Sequence, residues 1–190
     1  MKTKNIMIVG VGGQGTLLAS KLLGKMLLLK GYDVKVSEVH GMSQRGGSVV
    51  TYVRYGDKVY SPIIDKGEAD VILSFEELEA ARWLEYLAPD GLIITNNQQV
   101  NPMPVITGVK EYPQALIEKI KAKNIKIDAI DALKLANEAG TSKAVNLVLI
   151  GRLSNSFDYS LEDWMKVIEE SVPSKFLELN KKAFLLGRGL

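Results

Sequence analysis

Asn5-Ile6-Met7-Ile8-Val9-Gly10-Val11-Gly12-Gly13-Gln14-Gly15-Thr16 is the stretch on which the fold turns. Its opening run is short, continuous and β-branched, which reads as a strand buried on both faces of a parallel sheet. From residue 16 to about residue 30 the chain has no proline and is rich in Leu, Lys and Ala, so it reads as a helix. Between the two, Gly10, Gly12 and Gly15 fall on the G-x-G-x-x-G spacing. Glycine at such a junction allows a tight turn, close approach of a ligand phosphate to the backbone, and close helix–strand packing. The unpaired amides that open the helix supply an anion site. The same glycines could serve a plain strand-to-helix corner, so the loop points to a fold and not to an enzyme.

Outward from this loop, the helix carries Leu17, Leu18, Leu22, Leu23, Met26, Leu27, Leu28 and Leu29. That is too much leucine for one core-facing stripe, so a neighbouring helix or a partner subunit must cover a second side. Gly31 ends the helix, and Val34-Lys35-Val36-Ser37-Glu38-Val39 alternates as a second strand. Glu38 lies about 20 residues past the glycines, where a dinucleotide-binding fold places its ribose-binding acid. The plainer reading, a charged residue at a strand end, is preferred because of the loop that comes next in the chain.

His40-Gly41-Met42-Ser43-Gln44-Arg45-Gly46-Gly47-Ser48 forms this second glycine-punctuated loop. A connection between strands needs glycine for positive φ, but not an arginine set among Ser43, Gln44, Gly46 and Gly47. Arg45 suits bidentate contact with a phosphate or carboxylate, with nearby backbone amides as supporting donors. His40, a lone histidine at a strand end, reads as a hydrogen-bonded structural residue rather than a base.

Residues 49–55 read as a strand that turns at Gly56-Asp57-Lys58 into Val59-Tyr60-Ser61, a hairpin that interrupts the βαβ pattern. Residues 70–73, 92–95 and 125–129 read as further strands. Ser74-Phe75-Glu76-Glu77 has the capping-box pattern and should open a helix to about residue 87. Asn96 and Asn97 sit just past a strand, at a ligand-prone sheet edge, but serve equally well as turn formers. Asp131 and Ser160 should cap helices, and a mostly apolar helix over residues 143–153 contains Asn146. A buried asparagine needs partners, and bonding a nearby loop is the expected role.

The chain is long enough, at 190 residues, for one full α/β domain and short for two, so residues 1–190 are taken as a single domain. A net charge of +2 gives a nucleic-acid partner no electrostatic support. No apolar run reaches membrane-spanning length, and Met1-Lys2-Thr3-Lys4 leads straight into a strand, so no membrane partner and a cytoplasmic location are expected. Cysteine is absent, which excludes thiolate chemistry and a cysteine-ligated zinc or iron–sulfur site within this chain. With His40 the single histidine, a His-rich metal site is excluded as well, and no metal site is expected. The residues by themselves give a binder of a phosphate-bearing ligand.

Both glycine loops together resemble the small (beta) subunit of indolepyruvate:ferredoxin oxidoreductase, equivalent to the gamma subunit or domain of 2-oxoacid:ferredoxin oxidoreductases. The likeness extends through Asn146-Leu147-Val148-Leu149-Ile150-Gly151 to Asn180-Lys181-Lys182-Ala183-Phe184-Leu185-Leu186-Gly187. The His-Gly-Met-Ser-Gln-Arg-Gly-Gly block favours the indolepyruvate branch. The resemblance implies a three-layer α/β/α sandwich, Rossmann-like, with a mostly parallel sheet and a hairpin insertion. It implies oxidative decarboxylation of a 2-oxoacid to acyl-coenzyme A with ferredoxin as electron acceptor, by a complex in which the large (alpha) subunit carries thiamine diphosphate and the iron–sulfur clusters. This chain would hold no tightly bound cofactor but could contact coenzyme A. Gly10, Gly12, Gly13, Gln14 and Gly15 would then face the anionic ligand with Arg45, Gly46 and Gly47, and Ser43, Gln44 and Arg45 would reach toward the active site. Two rivals stay open: a stand-alone NAD- or FAD-binding protein, and a purely structural assembly subunit.

Overall fold

Ile6 and Ile8 point to one side of the first strand and Met7 and Val9 to the other, and all four are buried. That strand, β1 (Lys4–Val11), lies inside a six-stranded sheet in a computed structural model that describes residues 2–38, 43 and 45–190. The other strands are β2 (Asp33–Glu38), β3 (Ser48–Gly56), β4 (Ala69–Ser74), β5 (Leu87–Asn96) and β6 (Lys126–Ile130). Their order is β2-β3-β1-β4-β5-β6. Strands β1, β4, β5 and β6 are parallel, whereas β3 runs antiparallel to both of its neighbours.

The reversed strand decides where the site can form. Val11 of β1 faces Ser48 of β3, so the start of β3 meets the end of β1. The loop feeding β3 therefore lies at the same sheet edge as the loop leaving β1. The sheet brings the two glycine loops together although their sequences are separated by a helix and a strand.

The hairpin expected between residues 49–55 and 59–61 does not form. Both edges of β3 are taken, by β1 and by β2, which leaves residues 59–61 no strand to pair with. Val59 is instead buried and donates its amide to Asp33 Oδ2 at 2.9 Å. The hairpin of this fold is the antiparallel β2–β3 pair.

One face of the sheet is covered by α1 (Thr16–Leu29), α5 (Ala132–Ala139), α6 (Val145–Ser154), α7 (Leu161–Glu169) and α8 (Leu177–Arg188). The other is covered by α2 (Glu77–Arg82) and α4 (Leu116–Lys121), while α3 (Met103–Ile106) is a single turn at the sheet edge. This is the expected three-layer arrangement. Neighbouring helices α6 and α7 cover most of the leucines of α1, leaving Leu17, Leu28 and Leu29 exposed. Helix α6 is buried almost throughout because α8 crosses it at glycine contacts: a Cβ on Gly187 would lie 2.0 Å from the Val148 carbonyl oxygen. Asp131 and Ser160 cap α5 and α7 as their positions predict. The capping box at Ser74 shifts, because Ser74 still belongs to β4. Glu76 is the residue whose carboxylate caps α2, accepting from Glu79 N at 2.9 Å. That helix ends at Arg82 and the next strand begins at Leu87.

Candidate functional site

Gly13 and Gly15 adopt φ of +97° and +90°, the left-handed region that L side chains avoid, and Gly15 is the N-cap of α1. Gly10 is needed for packing: a Cβ there would come within 2.9 Å of both the Phe75 Cβ and the Gln14 Oε1. Gln14 braces the loop from within. Its Oε1 accepts from Val11 N at 2.7 Å and its Nε2 donates to Phe75 O at 3.2 Å, so both polar ends of the side chain hold scaffold. The first turn of α1 contains no acidic residue, leaving its amides and dipole to an anion.

The second loop is tied to the first. Gly12 N donates to Gly47 O at 2.9 Å, and Gly47 N donates to Ser43 O at 2.9 Å. From behind, Ser48 Oγ donates to Glu79, a buried carboxylate that also accepts from Arg82 Nε at 3.0 Å and Trp83 Nε1 at 3.3 Å. Buried Glu76 secures the neighbouring chain, accepting from Tyr112 Oη at 2.5 Å and Val100 N at 3.0 Å. Burial, then the Glu76 carboxylate, hold the Tyr112 hydroxyl protonated well above its ordinary range.

Between the loops opens a cleft of about 780 Å³, a size suited to an extended small molecule. Gly12, Gly13, Gln14, Gly15, Arg45 and Gly46 line it, and so do Lys143 beside the start of α6 and Met103 and Ile106 of α3. Arg45 is exposed and makes no ion pair among the described residues. The cleft thus joins two helix N-termini and two cations at one end to an apolar wall. Such a surface fits an anion attached to an apolar chain.

Of the residues singled out from sequence, Gly10 and Ser43 do not line this cleft, and Gly47 lines a smaller adjoining one of about 220 Å³. Gln44 and His40 lie outside the described residues. Glu38 belongs to scaffold: its Oε1 accepts from Ser20 Oγ of α1 at 2.7 Å. With β3 inserted between β1 and β2, the acid is one strand farther from the glycines than in a dinucleotide fold. Asn96 is also structural, donating to Phe75 O at 3.3 Å and accepting from Ala132 N at 3.1 Å. Sequence reasoning missed Lys143, Met103 and Ile106. The Gly140-Thr141-Ser142-Lys143 break before an apolar helix was the available signal, since helix starts on that side of the sheet gather at its ligand edge.

An α/β domain that presents two hydrogen-bonded glycine loops and unpaired cationic groups at one sheet edge offers a surface suited to an anion, and no metal-binding cluster occurs among the described residues. The chain belongs to the pyruvate ferredoxin/flavodoxin oxidoreductase family, whose model matches residues 5–190. It is 50% identical to indolepyruvate oxidoreductase subunit IorB of Pyrococcus horikoshii, over 98% of this chain and 95% of that one. A more distant relative, 2-oxoglutarate synthase subunit KorC of Methanothermobacter thermautotrophicus, is 30% identical over 98% of this chain and 94% of its own. In three dimensions the chain matches the crystal structure of a keto/oxoacid ferredoxin oxidoreductase gamma subunit from Geobacter sulfurreducens. The TM-score is 0.71 at 24% identity, covering 97% of this chain and 95% of that one. That likeness concerns the fold.

Proposed function

We propose that this chain is the subunit without thiamine of an indolepyruvate:ferredoxin oxidoreductase, and that it binds coenzyme A in the cleft between its two glycine loops. What carries the branch is the 50% identity along nearly the full length of both chains, against 30% for the 2-oxoglutarate relative. What carries the ligand is the direct bond from Gly12 N to Gly47 O, which makes one cradle of two loops and sets Arg45 beside it.

Coenzyme A fits the chemistry of the cleft. Its phosphates match the amides of residues 12–16, Arg45 and Lys143, and the gem-dimethyl and methylene groups of its pantetheine arm match Met103 and Ile106. The thiol must then reach an acyl group generated on the partner, so this chain's work is to bind and orient. Fixing one reactant converts an encounter into a positioned step, which is where such a subunit lowers the barrier. The thiamine diphosphate and iron–sulfur clusters of the reaction belong to the large subunit, and a chain without cysteine has no thiolate ligands for a cluster. Thiamine diphosphate there supplies the decarboxylation chemistry. Ferredoxin takes the electrons through that subunit. We place the complex in the cytoplasm, in keeping with the lack of any helix among the described residues long and apolar enough to cross a membrane.

The test is anaerobic co-purification with the large subunit, followed by indolepyruvate-driven, coenzyme A-dependent reduction of a viologen dye. Arg45→Ala should raise the KM for coenzyme A about tenfold while kcat at saturation and complex assembly hold. Weakened assembly with an unchanged coenzyme A KM would instead make this a purely structural subunit. A lone chain that retains a nicotinamide or flavin nucleotide would refute the subunit reading outright.

A further inference from the structure

Asn146 is 5% exposed and stands in the first turn of α6, directly against the glycine loop. Its amide orientation is fixed by its neighbour. Leu147 N donates to Asn146 Oδ1 at 2.9 Å, and a flipped amide would set two donors against each other. The Nδ2 group therefore faces Gly15: it lies 2.8 Å from where a Cβ on Gly15 would be. Gly15 and Val145, on either side of this contact, both line the cleft. The Nδ2 donor has no acceptor among the described residues, whereas the buried Glu76, Glu79 and Asn96 nearby are each held by several bonds.

The Asn146 side chain is nearly buried, yet its Nδ2 is not among the enclosed atoms that lack a partner, which among the described residues are Trp164 Nε1 and Ser171 Oγ, so this donor stays open to an acceptor from outside the chain. It sits against Gly15, between the starts of α1 and α6, where an anion held by the same loop would be within its reach. Gly15 consequently has two tasks. It supplies the positive φ of the helix cap, and its missing side chain admits the Asn146 amide to the level of the first-turn amides.

We propose that Asn146 is a ligand-binding residue, whose Nδ2 donates to a phosphate oxygen of coenzyme A seated on the loop of residues 12–15. This rests on coenzyme A being the ligand of the cleft. Two elements then grip one phosphate: α1 through backbone amides and α6 through a side chain. Phosphate binding would thereby reach α6, the most buried helix of the molecule.

The assembled complex carrying Asn146→Asp tests the assignment. Aspartate keeps the size of the side chain and the acceptor for Leu147 N, but replaces the donor with a negative charge. The KM for coenzyme A should rise by about 10- to 100-fold, the effect of losing a hydrogen bond to a charged group. The KM for indolepyruvate and the assembly of the complex should not change, although a merely structural fault would disturb both. Asn146→Ser, smaller and still able to accept from Leu147 N, carries the same test if the aspartate variant melts far below the parent. Arg45→Ala, measured alongside, separates the two levels. A raised coenzyme A KM for Arg45→Ala with an unchanged one for Asn146→Asp would overturn the role of Asn146 and leave the cleft reading standing. Unchanged values for both would overturn the cleft reading and the role of Asn146 with it.

Discussion

Replacing Gly187 with alanine should be among the most destabilising single-methyl additions this chain can receive. The added Cβ would stand 2.0 Å from the carbonyl oxygen of Val148, 2.7 Å from its carbonyl carbon and 2.8 Å from its Cα. Contacts under 3.0 Å are essentially never made by real Cβ atoms, and all three obstacles are backbone. Helices α6 and α8 must therefore part by about 1 Å or more, and no side-chain rotation can relieve the clash. Interiors are close-packed, so parting the helices also opens gaps around Phe184, whose ring lies 5.5 Å from that of the buried Trp164. Overpacking of this kind costs about 3 kcal/mol or more. For a domain of this size that corresponds to a fall of about 6–12 °C in Tm. Gly31→Ala is the internal control. Gly31 has a φ of +82° but nothing within 4 Å of a Cβ, so it should lose only the left-handed strain of about 1–2 kcal/mol. Near-ultraviolet circular dichroism, followed through thermal unfolding, reads both. If Gly187→Ala melted within about 2 °C of the parent, or no lower than Gly31→Ala, the two helices could not cross this closely.

Glu76→Ala should cost about 3–5 kcal/mol in a urea titration with an unchanged m-value, since it strands the Tyr112 hydroxyl and the amides of Val100 and Glu79 without acceptors. A loss below about 1 kcal/mol would mean that water replaces the carboxylate. Stability should also be acid-sensitive. The Lys30 ammonium and then the Ser160 hydroxyl hold the Asp163 carboxyl below the usual carboxylate range, and Lys35 and then the Val59 amide do the same for Asp33. A carboxyl depressed in the folded state stabilises fully above its unfolded pKa of about 3.9, and that stabilisation disappears as the pH falls through the lower folded value. A Tm profile should therefore be flat from pH 7 to about 5 and fall below about 4, with a shallower fall in the Asp33→Asn, Asp163→Asn double variant. Equal slopes in the two proteins would show that other groups carry the acid transition.

The local elements around the first glycine loop were legible because local physics suffices for them. A β-branched run, glycines at fixed offsets and a proline-free leucine helix need no distant partner to be recognised. Asp131 and Ser160 cap helices for the same reason: a cap is a contact across three residues. Where a reading failed, the deciding contact was distant. Residues 59–61 read as a strand, but pairing depends on a free sheet edge, and both edges of β3 are occupied by strands read separately. Glu76 read only as an inner position of the Ser74–Glu77 capping box, although its carboxylate also accepts from Val100 and Tyr112 from later in the chain.

The sequence by itself determined that this is an α/β domain with a glycine loop between its first strand and helix, a second loop carrying Arg45, and no cysteine chemistry of its own. Its motifs also pointed to the right oxidoreductase family, because those loops are contiguous and their residue types are constrained by tight backbone geometry. Only the tertiary structure decided that the two loops form one site. That follows from β3 running backwards between β1 and β2, which sets the start of β3 beside the end of β1 and moves Glu38 away from the glycines. It also decided that Lys143 and Asn146, more than a hundred residues downstream, stand at that loop. Sheet order and helix packing fix such distances, and neither is written in any local stretch of the chain.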